Sequence, residues 1–366
     1  MKISVTRETL LPALQAVANV VDRRQSMQIL GNVLLNAHQG ALNLTATDME
    51  VEVSLGCGAE VIREGSTTLP AKKLLDICRS LPSDAALQID VSSGKAKVQS
   101  GRSRFSLGVL PADDFPAVGS FQNQVEIKIR ASELSELVRS TQFAMAHQDV
   151  RYYLNGLLLE LRGQTVRAVA TDGHRLALCD RELDQDLGAT TQIIVPRKAV
   201  QEIQRMLAHQ DGEVSLVLGE NHLRLEAAGQ SLTAKLIDGK FPDYQRVIPV
   251  KGEKSVIADR DALRSAFSRT SILSNEKFRG VRLVLGTNLL KAMTHNPEQE
   301  EAEEDLEVNY TGPDLEIGFN VSYLLDVLTV LESKEVCIEL SDPNSSAVIF
   351  SPEDRRARYV IMPMRL

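Results

Sequence analysis

The string Thr171-Asp172-Gly173-His174-Arg175 is where residue types and spacing in this chain most suggest chemistry. An Asp and a His near one turn could serve as base and orienting helper in proton transfer. Such a pair needs a nucleophile or a metal. The chain has no Gly-x-Ser-x-Gly elbow, and none of Cys57, Cys78, Cys179 and Cys337 has a plausible partner beside it. The six histidines lack metal-ligand spacing. No Gly-x-x-x-x-Gly-Lys-Ser/Thr phosphate loop occurs, and Gly56-Cys57-Gly58 lacks a third glycine. The matching place earlier in the chain reads Thr47-Asp48-Met49-Glu50, without the His. A strand-end turn explains both strings without catalysis. Neither cofactor nor metal is expected.

The recurrence itself says more. Thr47 and Thr171 lie 124 positions apart, as do Leu30 of Leu30-Gly31-Asn32-Val33-Leu34-Leu35 and Leu154 of Leu154-Asn155-Gly156-Leu157-Leu158-Leu159. The same step leads on to Phe278-Arg279-Gly280-Val281 and Thr294-His295-Asn296, a weaker echo. Pro70 and Pro116 are 46 apart, as are Pro196 and Pro242. A period this long is domain-sized, well beyond the roughly 20–50 residues of solenoid repeats. It predicts three tandem copies, over 1–124, 125–253 and 254–366.

Each copy reads as strand, helix, strands, helix, strands, an α+β domain with two helices on an antiparallel sheet. In the first copy Lys2–Thr6 alternates, Glu8–Val21 has helical spacing, and Asn32–Asn36 with Ala41–Ala46 forms a hairpin. A helix follows Pro70, then strands over Leu87–Val91, Lys95–Ser100 and Arg104–Leu110. The second copy predicts a strand over Val125–Ile129, helices over Ser132–Ala144 and Pro196–Leu207, and a hairpin over Leu157–Ala170. The third predicts helices over Asp261–Leu273 and Val321–Leu331, with strands over Ser255–Ile257, Val281–Leu285 and Leu289–Thr294. Ala146–Tyr153 reads as an insertion in the second copy, a candidate contact loop or an ordinary surface loop.

Composition fits an ordinary globular chain of 366 residues, 43% hydrophobic and 25% charged. With no Trp and 4% aromatics, its cores must be aliphatic. No apolar run reaches the roughly 20 residues that span a bilayer, and the amino terminus lacks a signal peptide's apolar stretch. The scattered cysteines suit reduced thiols in the cytoplasm. A net charge of −8 argues against nucleic-acid binding by bulk attraction, though not by a basic surface set apart. Basic residues do recur at matching places. Lys72, Lys73 and Arg79 follow Pro70, and Arg197, Lys198 and Arg205 follow Pro196. Solvated helix faces are the plain alternative.

Acid is segregated in the third copy, in Pro297-Glu298-Gln299-Glu300-Glu301-Ala302-Glu303-Glu304-Asp305. The first copy instead offers Gly101-Arg102-Ser103-Arg104-Phe105-Ser106-Leu107, which the pattern makes an edge strand. Pairing of such edges between chains would supply backbone hydrogen bonds, with charge setting the partner. Head-to-tail contact of this kind closes into a ring or propagates as a filament.

At this level of detail the sequence closely resembles the bacterial sliding clamps, the β subunits of DNA polymerase III, over essentially its whole length. The resemblance rests on Ile29-Leu30-Gly31-Asn32, on Ser100–Phe105, on Met145–Gly156, on Ala170–Leu176, on Asp238–Tyr244, on Ile272–Gly280 and on Met362-Pro363-Met364-Arg365-Leu366. Gln28 departs from the family, whose members often have Pro there. The resemblance implies a head-to-tail homodimer ring around duplex DNA, loaded by an ATP-driven clamp loader. It would tether the polymerase III α subunit and other proteins carrying a clamp-binding motif, in the cytoplasm at the nucleoid.

Carried over residue by residue, the family's DNA contacts fall on Arg24, Lys73, Gln148, Tyr152 and Tyr153, and the basic helix adds Arg197, Lys198 and Arg205. Its cleft for short Gln- and Leu-containing peptides falls on Leu154, Thr171, Gly173, His174, Arg175, Leu176, Pro242 and Val247. A second half falls on Arg151, Tyr153, Ser346, Val360, Met362, Pro363, Met364 and Arg365. The expected dimer interface joins Arg102, Arg104, Phe105 and Leu107 to Ile272, Leu273, Glu300, Glu303 and Glu304. Two other readings stay open at this point: a hydrolytic enzyme built on Asp172 and His174, and a peptide-binding adaptor that never encircles DNA.

Overall fold

The computed structural model describes residues 1–21, 27–116, 125–188, 190–208, 210–249 and 252–365. Among them lie six α-helices: α1 (Arg7–Ala18), α2 (Ala71–Ser80), α3 (Ala131–Thr141), α4 (Arg197–Leu207), α5 (Arg260–Thr270) and α6 (Val321–Val330). Their starts follow from capping chemistry. The Thr6 hydroxyl accepts from the Thr9 N–H at 3.3 Å, Asp259 from Ala262 at 2.9 Å and Asn320 from Ser322 at 2.9 Å. Pro70 and Pro196 each end a strand and lead directly into α2 and α4. No hydrogen bond is lost there, because the first helical N–H groups have no intrahelical acceptor.

The carboxyl ends of helices depart from the periodicity. The α3 and α5 stripes continue to Ala144 and Leu273, but the last turn tightens into 3-10 geometry at Gln142–Ala144 and Ser271–Leu273. Thr141 and Thr270 sit at those junctions, their hydroxyls bonded back to the Leu137 and Ala266 carbonyls at 2.6 and 3.0 Å. Helix α1 stops at Ala18, short of the expected Val21. That removes the supposed insertion in the second copy. Arg7 and Ala131 open helices 124 apart, and Asn32 and Gly156 open strands 124 apart, so the connections match in length.

The chain forms two compact units, one of residues 1–135 with 198–236, the other of 136–197 with 237–366. Neither coincides with a sequence repeat, because each contains a sheet shared by two copies. In the first unit an eight-stranded sheet runs Val125–Arg130, Glu213–Leu218, His222–Ala227, Gln230–Lys235, Val51–Gly58, Ala41–Thr47, Asn32–His38, Gly65–Pro70. Its join is antiparallel, with Gln230 opposite Leu55 and Ala234 opposite Val51. A five-stranded sheet accompanies it, in the order Glu60–Arg63, Lys2–Thr6, Ala86–Ser92, Lys95–Ser100, Ser103–Gly108.

The second unit repeats the device. Its eight strands run Thr191–Pro196, Gly156–Arg162, Thr165–Thr171, Arg175–Glu182, Asp354–Ile361, Ala347–Ser351, Glu335–Leu340, Lys254–Asp259. The join pairs Arg175 with Ile361 and Cys179 with Ala357. A four-stranded sheet runs Glu301–Glu307, Leu289–His295, Gly280–Gly286, Leu315–Asn320. Continuous backbone ladders across copies make each join as strong as the interior of a sheet. The first unit's core is aliphatic, with Leu10, Leu14, Leu35, Leu42 and Leu44 fully buried, but the second unit departs from that expectation and also buries the aromatic Phe267, Tyr310, Phe319, Phe350 and Tyr359.

Candidate peptide cleft and interaction surfaces

The chemistry-like string is a tightly closed turn in the second unit. Thr171 Oγ1 donates to the Arg175 carbonyl at 2.6 Å and accepts the Gly173 N–H at 3.1 Å. Asp172 Oδ1 accepts the His174 and Arg175 N–H groups at 2.9 and 3.0 Å, and Oδ2 accepts Arg175 Nε at 3.1 Å. The carboxylate therefore serves the backbone and the guanidinium, not the imidazole, and the base-and-helper geometry does not form. Gly173 takes φ +90°, which favours glycine; a Cβ there would also lie 3.1 Å from an Arg151 guanidinium nitrogen.

Arg175 is anchored away from solvent. It donates to Asp326 and, at 2.9 Å, to the Phe143 carbonyl, and its guanidinium lies 4.4 Å from the Tyr323 ring centre and 5.2 Å from that of Phe143. Beside the turn, Arg151 Nε and Nη2 donate to Asp149 at 3.0 and 2.9 Å, and Asn155 closes the same loop through the Asp149 backbone at 2.9 Å on both sides. The Arg151 side chain first, and then the Arg151 N–H donating to Asp149 Oδ1 at 2.8 Å, hold the Asp149 carboxyl down at about 2.

Between them opens a cavity of about 170 Å³, lined by Arg151, Leu154, Thr171, Gly173, His174, Arg175, Leu176, Pro242, Val247, Ser346, Val360 and Met362. Its floor is a packed cluster that includes Leu158, Val169, Leu176, Leu178, Tyr244 and Val360. Asp243 and Tyr244 also line it and were not anticipated, although they follow Pro242 directly. Buried Tyr244 donates to Glu160 at 3.0 Å and accepts from Arg167 at 3.2 Å, and its burial pushes the phenol's pKa up. Tyr153 packs against the floor cluster rather than the opening. Pro363 lines neither this cavity nor a second one, which Met364 and Arg365 line with Asn275 and Phe278. An apolar pocket with a basic and an imidazole group at its rim suits a short peptide with an aliphatic anchor, and it holds no catalytic constellation.

The anticipated DNA contacts are distributed unevenly. Lys73 is exposed on α2 beside Lys72. Gln148 is exposed at φ +57°, and Tyr152 is 57% exposed with its ring 5.9 Å from that of Tyr153. The basic residues of α4 are engaged within the protein. Lys198 Nζ pairs with Asp48 and donates to the Val20 carbonyl at 2.8 Å, Arg197 donates to the Met145 carbonyl at 3.1 Å, and Arg205 pairs with Glu202. Arg24 lies outside the described residues.

Two strand edges carry opposite charge. Ser103–Gly108 ends the five-stranded sheet, with Arg104 exposed, Phe105 half-buried, Leu107 buried and Arg102 exposed in the preceding turn. Glu301–Glu307 ends the four-stranded sheet. Some of its acid is already neutralised, Glu304 by Arg269 (2.9 Å) and Glu303 by Lys291, while Glu300 closes a turn with Asn296 at 2.7 Å. Ile272 is 75% exposed and Leu273 half-buried just beyond α5.

Family models for the DNA polymerase III beta subunit match the chain in three consecutive stretches: the N-terminal domain over residues 1–119, the central domain over 128–243 and the C-terminal domain over 245–365. The chain belongs to the DNA polymerase III beta subunit family. Relatives named beta sliding clamp are 52% identical in Pseudomonas aeruginosa and 48% identical in Escherichia coli, each match covering all of both chains. The crystal structure of a DNA polymerase sliding clamp from Pseudomonas aeruginosa superposes with a TM-score of 0.97 at 52% identity over all of both chains. That of the Bartonella birtlesii clamp bound to griselimycin gives 0.97 at 38%, again over all of both. The fold is a three-domain clamp, α+β throughout. No described helix is long and apolar enough to cross a membrane.

Proposed function

We propose that this chain acts as a DNA sliding clamp, a subunit without catalysis of its own that keeps DNA polymerase III processive on duplex DNA. Two chains close head to tail into a ring of six similar domains, three per chain over 1–124, 125–253 and 254–366, with helices toward the hole. Each chain carries one peptide cleft, at Leu154, Thr171–Leu176, Pro242, Val247, Val360 and Met362, for the polymerase α subunit, the clamp loader and other motif-bearing proteins. The ring works in the cytoplasm, at the nucleoid.

The observation supporting closure is that one chain ends two of its sheets in open edges of opposite charge, Ser103–Gly108 with Arg104 and Glu301–Glu307 with its acids. An open edge is a template for strand pairing, and the charge difference selects edge from edge. Topology then replaces affinity. Phosphate contacts are sequence-independent, and non-specific binding of roughly 10⁻⁴–10⁻⁶ M could not retain a polymerase, whereas a closed ring leaves only by opening. Lys73, Gln148 and Tyr152, exposed and weakly binding, would let the duplex slide. Met362 suits a site serving several related peptides, because its side chain repacks easily. Sedimentation of an Ile272→Ala/Leu273→Ala double variant tests the interface: monomers are expected, and an intact dimer would remove Ile272 and Leu273 from it.

A further inference from the structure

The chain's last residues separate two cavities. After the Asp354–Ile361 strand, the Met362 N–H donates to the His174 carbonyl at 3.0 Å and the Met364 N–H to the Gly318 carbonyl at 2.9 Å. Met362 lines the cleft, while Met364 and Arg365 line a second cavity of about 360 Å³. Its apolar surface comes from Phe278, Met293 and Met364, its basic groups from Arg282, His295 and Arg365.

This cavity lies on the outer face of the four-stranded sheet. Arg282 and Met293 are cross-strand partners there, while their neighbours Val281, Leu283 and Ala292 are buried on the other face. Phe278 is 56% exposed, with the Lys277 ammonium 5.3 Å from its ring centre. Arg282 reaches an acid, Glu316, at 3.3 Å, whereas Arg365 has no acid partner among the described residues. Glu303 and Glu301 stand opposite Met293 and His295 on the adjoining strand, so Arg365 is the group left to meet a carboxylate, and with an exposed aromatic and a methionine it matches a ligand carrying a large apolar group next to one.

We propose that the second cavity takes the continuation of the peptide that occupies the cleft, through a large apolar side chain flanked by Asp or Glu. The proposal rests on the cleft reading above. Continuity identifies the occupant. Met362 and Met364 are two residues apart, so extended chain needs about 7 Å to pass from one cavity to the other. Two to four residues beyond the cleft anchor, roughly 7–14 Å of chain, therefore reach Phe278 and Met293. A second copy of this chain is the weaker occupant, since its proposed contact runs along the acidic strand edge.

Fluorescence anisotropy on the full-length protein tests this with three labelled peptides: a short Gln- and Leu-containing cleft peptide, and the same peptide extended by Gly-Gly-Asp-Phe or Phe-Asp-Gly-Gly at its carboxyl or amino end. One extended peptide should bind about tenfold more tightly than the short one, the scale expected from burying a Phe ring. Met293→Asp should abolish that gain and Phe278→Ala reduce it, with short-peptide binding unchanged in both. Replacing Asp by Asn in the extension should also lower the gain. Short-peptide binding with no gain from either extension, or a gain that survives Met293→Asp, overturns the proposal. Failure of the short peptide to bind the unaltered protein overturns the cleft reading, and this proposal with it.

Discussion

The turns at Thr47-Asp48 and Thr171-Asp172 are the same structure put to different uses. In each, the Thr hydroxyl bonds the carbonyl four residues on and accepts the N–H two residues on, at Val51 and Met49 in one and Arg175 and Gly173 in the other. In each, the Asp accepts two further N–H groups. The third position has positive φ in both, +77° at Met49 and +90° at Gly173. They diverge in what surrounds them. Asp48 pairs with Lys198, and that turn serves the first unit's packing. Asp172 pairs with Arg175, and that turn forms one wall of the cleft. The repeated turn keeps its backbone chemistry in both copies and lines a cavity in one.

Changes at the third position should separate the two turns most. Gly173→Val places a branched side chain at positive φ and against Arg151, and should cost about 2 kcal/mol and weaken peptide binding tenfold or more. Met49→Gly relieves the same backbone conformation and should stabilise the protein by up to about 1 kcal/mol, with peptide binding unchanged. Urea denaturation with peptide titration reads both, and a destabilised Met49→Gly would show that the two positions are not alike. Next come the carboxylates. Asp48→Ala and Asp172→Ala should each lose about 2 kcal/mol, since each leaves two amides and a cation short of a partner. Only Asp172→Ala should weaken peptide binding as well; equal peptide loss in both would dissolve the distinction.

His174 has Glu50 at the equivalent place, and its side chain is exposed. His174→Ala should lower peptide affinity about fivefold while altering stability by less than about 0.5 kcal/mol. Turnover of any substrate by the purified protein, lost in this variant, would reopen the catalytic reading. The smallest effect is in the loop beside the cleft. The Asp149 carboxyl, held at about 2 against an ordinary 3.8, supports the loop fully above the higher value and progressively less as pH falls toward the lower. Carboxyl NMR should give that midpoint, and Arg151→Ala should raise it toward 3.8; no movement would assign the depression to the backbone N–H alone.

The repeat was legible because Thr, Asp and Pro mark backbone events that recur wherever the fold does. Helices were legible from apolar stripes, as in α2 with Leu74, Leu75 and Cys78 buried. The strands joining successive copies were not. Arg175–Glu182 buries Leu176, Ala177, Leu178 and Cys179 consecutively, so it has no alternation to detect. Val51–Gly58 is closed by Gly-Cys-Gly, which reads as a turn. The edge strand Glu301–Glu307, which joins no other copy in the chain, was hidden for a different reason: five of its seven residues are acidic, and Arg269 and Lys291 offset part of that charge. The cleft residues came from the family resemblance, since Arg175 and Leu176 meet Ile361 and Val360 across the sheet, partners far away in sequence. The engagement of Lys198 and Arg197 could not be read from a charge pattern, because their acceptors, Asp48 and the Met145 carbonyl, come from other segments.

In the proposed ring, enclosure and not attraction would hold this protein on DNA. Labelled protein placed on nicked circular DNA by its clamp loader and ATP should stay bound through gel filtration and be lost once the circle is cut to a line. Equal retention on circle and line would contradict it.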